Sequence, residues 1–129
     1  DAFIIDTLIP TVSALTLTDT TNGSTTFAKT NDQLSLTATI TDSNSGHIRI
    51  NASQLTANAA HANISCDAPG AGITCSYSGT TMTLGFSLGF SGAPLELVRQ
   101  IQVTAYNPTD TQSSSQVASI TVDNTLPTV

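Results

Sequence analysis

Basic residues are nearly missing from this chain. Lys29, Arg49 and Arg99 stand against nine acids in 129 residues, and the formal charge is −6. Nucleic acids and anionic membrane surfaces are gripped by clusters of Lys and Arg, so neither nucleic acid nor an anionic lipid surface is expected as a partner. Tryptophan is absent. Of the few aromatics, Phe86 and Phe90 follow a core pattern, and Tyr77 and Tyr106 suit cross-strand packing better than the stacking of a sugar. No run approaches the ~20 consecutive apolar residues of a membrane helix, so direct membrane insertion is not expected. No basic-then-apolar leader opens the chain, and Asp1 reads as a mature N-terminus or as a cut in a longer protein. Catalytic groups are sparse. His47 and His61 lie in a turn and a soft loop, no Gly-x-Ser-x-Gly elbow surrounds a serine, and the carboxylates are single and dispersed. The expectation is a protein that is not an enzyme.

Serine and threonine fill the space that charge leaves. Charged residues make up 9% of the chain, so most surface positions must carry uncharged hydroxyls. Such a surface is usual outside the cell, and the expected location is extracellular, at a cell surface. Three Asn-x-Ser sequons, at Asn22, Asn51 and Asn63, are candidate glycan acceptors on a secreted chain. The two cysteines, Cys66 and Cys75, flank the turn-rich loop Asp67-Ala68-Pro69-Gly70-Ala71-Gly72. They sit in what read as facing strands and predict a disulfide that staples a hairpin, with two buried thiols as the alternative. Two cysteines do not complete a metal site, and neither histidine has ligand spacing to them.

The hydrophobic period is two throughout. Leu34, Leu36, Ala38 and Ile40 alternate with Ser35, Thr37, Thr39 and Thr41, a pattern a helix cannot use. Met82, Leu84, Phe86, Leu88 and Phe90 form a second such series, whose outward Gly85 and Gly89 suggest a close backbone approach or a bulge. Shorter runs carry Leu15 and Leu17, then Ile48 and Ile50, then Ile101, Val103 and Ala105, then Ala118, Ile120 and Val122. Residues 24–33 read as a polar loop, and residues 53–62 as a single helical turn or a loop. About seven strands separated by turn signals predict an all-β, two-sheet sandwich, with a barrel as the alternative. A chain of this length is one domain with one core.

One phrase occurs twice. Ile5-Asp6-Thr7-Leu8-Ile9-Pro10-Thr11-Val12 matches Val122-Asp123-Asn124-Thr125-Leu126-Pro127-Thr128-Val129 without a gap, 117 residues apart. That offset is the span of a single domain, and a self-match at such spacing suggests one unit of an array with its overlaps into neighbours. Proline fixes φ and extends the residue before it, which suits a semi-rigid junction at Pro10 and Pro127. The division that follows is residues 1–11 as strand and linker overlapping a preceding unit, 12–123 as the domain, and 124–129 as the linker onward. Phe3, Ile4 and Ile5 are the apolar part of the first linker.

The order Asn31-Asp32-Gln33-Leu34-Ser35-Leu36-Thr37-Ala38-Thr39-Ile40-Thr41-Asp42, a Ser-Gly turn, a late Val103-Thr104-Ala105-Tyr106-Asn107 and the closing Val122-Asp123-Asn124-Thr125-Leu126-Pro127-Thr128 resembles the tandem Ig-like repeats of large prokaryotic surface proteins, such as adhesin stalks and surface-layer proteins. The likeness covers most of residues 12–129. It implies an immunoglobulin-like antiparallel β-sandwich with a spacer or lattice role. Asn107-Pro108-Thr109-Asp110 stands where many relatives carry an Asp-x-x-Gly-Asn turn, and the cysteine pair is unusual for them.

The aspartates carry one more expectation. Asp6 and Asp123 lie at the junctions, and Asp19, Asp42 and Asp110 lie at turns that a sandwich brings to its ends. Hard oxygen ligands converging on a linker would bind calcium and stiffen the array, whereas the plainer role is turn formation and capping. Two functional readings follow, both with identical or similar units as head-to-tail partners. In one the chain is a spacer or coat tile joined covalently to its neighbours. In the other it is a filament subunit whose N-terminal strand completes a neighbour's sheet.

Overall fold

The computed structural model describes residues 8–91, 96–109 and 113–125, and it is a sandwich of two sheets. In chain order the strands are β1 (Thr11–Asp19), β2 (Phe27–Ala28), β3 (Gln33–Thr41), β4 (Ile48–Asn51), β5 (Ile64–Ser65), β6 (Thr74–Ser78), β7 (Thr81–Ser87), β8 (Leu97–Tyr106) and β9 (Ser113–Val122). A single α-helical turn, α1 (Ser53–Thr56), and 3-10 turns at Ser45–His47 and Ala59–Ala62 complete the elements. One sheet has the order β1-β3-β7-β6 and the other β2-β9-β8-β4-β5. Every pairing is antiparallel except the short parallel contact of β2 with β9.

The period-two alternation places the core where the pattern predicts it. Leu34, Leu36, Ala38 and Ile40 of β3 and Met82, Leu84 and Phe86 of β7 are buried. They face Ile48 and Ile50 of β4, Ile101, Val103 and Ala105 of β8, and Ile120 and Val122 of β9. Successive side chains of a strand point to opposite faces, so the alternate Ser and Thr residues are left on the outer surfaces. Phe90 is the exception to the predicted core series. It is half-buried beyond the end of β7, with the Arg99 guanidinium 3.9 Å above its ring.

There are nine strands among the described residues rather than about seven, because β2 and β5 are two-residue pairings. β2 lies inside the segment that reads as a polar loop. The phase of β1 also differs from its reading. Ser13 pairs with Thr39 but Thr16 with Thr37, so Ala14 and Leu15 together oppose one residue, and Ala14 takes φ 54°. This bulge resets the alternation. Val12 and Leu17 are both buried, while Leu15 is half-buried.

The predicted hairpin across residues 67–72 does not form. β5 pairs with β4, and β6 pairs with β7 through a two-residue Gly79-Thr80 turn in which Gly79 takes φ 63°. Tight hairpin turns favour glycine at positive φ, and this one commits β6 to the opposite sheet. Cys66 and Cys75 are nonetheless bonded, with an Sγ–Sγ distance of 2.06 Å. The disulfide therefore ties the β5 edge of one sheet to the β6 edge of the other.

Gly89 realises the predicted close approach. Its N–H donates to the Leu55 carbonyl at 2.8 Å, and a Cβ there would lie 2.3 Å from the Thr56 carbonyl oxygen.

Candidate functional site at the poles of the sandwich

β1 and β9 lie side by side in opposite sheets and run in the same direction. β1 starts at the pairing Thr11 with Thr41 and β9 at Ser113 with Tyr106; β1 ends at Asp19 with Leu34 and β9 at Val122 with Leu97. The Ser114 hydroxyl donates to the Pro10 carbonyl at 2.8 Å, joining the two starts. The chain thus comes in at one pole and leaves at the other. Pro10, which reads as linker, is buried against the sandwich.

At the C-terminal pole the departing chain is held by the loop around β2. Asp123 N–H donates to the Ala28 carbonyl at 2.8 Å. The Asn124 carboxamide accepts from Thr30 N–H and donates to Thr30 Oγ1, both at 2.9 Å. Asp123 Oδ1 accepts from Thr125 N–H at 2.9 Å, an Asx turn that shapes the first linker residues.

Beneath this exit lies a buried acid pair, Asp19 and Asp32. Asp19 Oδ1 accepts from the N–H groups of Thr21 (2.9 Å) and Asn22 (3.1 Å). Asn22 Nδ2 bridges the two acids, donating to Asp19 Oδ2 at 3.2 Å and to Asp32 Oδ2 at 3.0 Å. Asp32 Oδ2 also accepts from Lys29 N–H at 3.1 Å. Burial and the hydrogen bond to Asp32 push the Asp19 carboxyl above the ordinary carboxylate range. For Asp32, burial acts upward but is outweighed by hydrogen bonds from Asp19, Lys29 N–H and Asn22 and by the Lys29 charge, and its carboxyl is lowered. Like charges in a shared buried site do not both ionise readily, and the two carboxyls are pushed in opposite directions.

Of the aspartates that could hold calcium, Asp19 and Asp123 line one depression of about 220 Å³ together with Asp32, Lys29 and Phe27. Asp42 is exposed and lies at the opposite pole, after Thr41. Asp6 and Asp110, like Phe3, Ile4, Ile5 and Pro127, lie outside the described residues. No group of three or more His, Cys, Asp or Glu among the described residues is set to hold a metal ion. Asp19 acts as the turn-capping acid of the plainer reading, since its oxygens are occupied by N–H donors. Asp32, its partner, lies in the sequence at the end of what reads as a polar loop, with nothing there that pairs it with Asp19.

Large exposed apolar side chains gather at the same poles. Leu8 and Ile9 precede β1 at the N-terminal pole, and Phe27, Leu97 and Val98 surround the exit at the other. Val117 is the remaining one among the described residues and lies mid-strand on β9. The two other sequons sit away from the poles. Asn51 ends β4 on the outer face of the five-stranded sheet, and Asn63 is exposed just before β5.

No helix among the described residues is long and apolar enough to cross a membrane. Set against family models, curated proteins and solved structures, the chain matches none of them.

Proposed function

We propose that this chain is one non-enzymatic structural unit of an extracellular assembly, holding its neighbours head to tail as a spacer in a stalk or as a tile of a surface coat. The observation that carries the reading is the axial path of the chain. It comes in beside Pro10 and leaves beside Asn124 at the other pole, and among the described residues five of the six large exposed apolar side chains lie at those two poles. Apolar patches left exposed on a small domain are usually covered by a partner. In an array, Leu8 and Ile9 of one unit meet Phe27, Leu97 and Val98 of the unit before it.

The strand order supports an immunoglobulin-like assignment. β1-β3-β7-β6 opposite β9-β8-β4 corresponds to the A-B-E-D and G-F-C sheets of such domains, with β2 at the place of an added edge strand. The disulfide favours a non-reducing compartment, because cytosolic thiols are kept reduced. Together with the doubled junction phrase, these features favour the tandem surface-repeat reading.

Electron microscopy of the native assembly tests the proposal. Rods or sheets of covalently continuous units are expected. Filaments that dissociate in denaturant into single-unit chains would replace it by strand exchange through Phe3, Ile4 and Ile5.

A further inference from the structure

The three sequons differ in what the fold does with the amide nitrogen, the atom a glycan must occupy. Asn22 Nδ2 is spent on the buried acid pair, donating to both Asp19 and Asp32. A sugar on that nitrogen would take a donor away from the buried acids, although Asn22 itself is exposed. At Asn63 the serine of the sequon is diverted. Ser65 Oγ donates to Asp67 Oδ1 at 2.6 Å and accepts from Arg49 at 3.2 Å.

Asn51 is arranged differently. Its Oδ1 accepts from both the N–H (3.1 Å) and the hydroxyl (2.7 Å) of Ser53, so the sequon is closed on the carbonyl side of the amide. Among the described residues Nδ2 has no protein acceptor, and it is not a buried unpaired atom. Asn51 lines a groove of about 180 Å³ on the outer face of the five-stranded sheet, together with Gln54, Gln100, Gln102 and Val117. That is the volume of about six waters, room for a single sugar ring. The lining is neutral and supplies what a sugar needs: primary amides that both donate and accept, beside one apolar surface. Gln54 is held in place by Gln100 N–H, which donates to its Oε1 at 3.1 Å. Among the described residues, Val117 is also the one large exposed apolar side chain that the junction does not account for.

We propose that Asn51 is N-glycosylated and that the first sugar lies in this groove, covering Val117. In the transfer, a bond forms between Asn51 Nδ2 and the anomeric carbon of an activated sugar, a lipid- or nucleotide-linked sugar phosphate. The bond from that carbon to the phosphate oxygen breaks, the phosphate leaves with the electron pair, and Nδ2 gives up one of its two protons. The inference rests on the extracellular part of the proposed function and not on the head-to-tail role.

Peptide mass spectrometry of the native protein tests it. The Asn51 peptide is expected to carry a sugar mass and the Asn22 peptide none. In the native host Ser53→Thr keeps the modification, and Ser53→Ala loses it. Hydroxyl-radical labelling of Val117 is expected to rise several-fold in Ser53→Ala relative to Ser53→Thr. An unmodified Asn51 overturns the proposal, as does a glycan on Asn22 in its place, and equal labelling of Val117 overturns the seat in the groove. An unmodified Asn51 in units that still stand head to tail removes the glycan and leaves the structural role intact.

Discussion

Asn124 and Thr30, 94 residues apart in sequence, hold each other through two hydrogen bonds of 2.9 Å. One fixes the Thr30 backbone and the other its hydroxyl, so the chain leaves the sandwich in a set direction before the linker proline. Asn124→Ala removes both bonds and is expected to cost about 1 to 2 kcal/mol. In two units joined in series, the variant should also broaden the distribution of inter-unit angles seen by electron microscopy. A stability loss with an unchanged angle distribution would show that the exit direction is set elsewhere.

The Cys66–Cys75 bond closes a short loop between the edges of the two sheets. On the chain-entropy model such a loop is worth roughly 2 to 3 kcal/mol. Cys66→Ser should therefore lower the melting temperature by about 10 °C while leaving the β-sheet circular dichroism unchanged. Reduction of the wild type should reproduce the shift, and equal melting of variant and wild type under non-reducing conditions would reject the bond.

Two glycines separate backbone contact from side-chain contact. A Cβ at Gly89 meets the Thr56 carbonyl at 2.3 Å, whereas at Gly85 it meets the Thr74 hydroxyl at 2.8 Å. The hydroxyl can rotate away and the carbonyl of α1 cannot. Gly89→Ala is expected to cost about 2 to 3 kcal/mol by overpacking and Gly85→Ala less than about 1 kcal/mol. Chemical denaturation of both variants compares them directly, and similar losses at the two sites would contradict the contact with α1.

The acid pair gives stability a pH dependence with a defined sign. Asp19 is raised by burial and its bond to Asp32, so its contribution is present in acid and is lost as pH rises through its folded value. Asp32 is lowered, so its contribution is present above the ordinary carboxylate range and is lost as pH falls through its folded value. Lys29 and Asp123 are the charged groups beside the pair. Melting curves should show wild-type stability declining above the acid range, and Asp19→Asn, which cannot ionise, should flatten that decline. An identical pH profile in wild type and variant would mean that Asp19 does not titrate above the ordinary carboxylate range.

Much of the sandwich was legible because β3, β7 and the second half of β8 alternate apolar residues with Ser, Thr, Gly or Gln. The phase of β1 was not, since one inserted residue at the Ala14 bulge reverses the parity that links Val12 to Leu17. β2 and β5 were invisible for another reason. Two residues hold no pattern, and their partners β9 and β4 define them. Cys66 and Cys75 were legible as a pair but not as a bridge between sheets, because the Gly79-Thr80 turn decides which sheet takes β6. At the poles, Asp19 stood out as a turn acid, while Asp32 and the Thr30–Asn124 clamp depend on residues brought together only by the closed fold.

In the head-to-tail assembly, successive units stand end to end. Small-angle X-ray scattering of a chain carrying two copies in series, with the natural linker between them, tests it most directly. A ten-residue β9 at about 3.3 Å per residue, plus a few extended linker residues, predicts that the second unit lengthens the particle by about 40 Å. A maximum dimension that barely exceeds that of one unit, with the two sandwiches folded back side by side, would rule out the end-to-end arrangement.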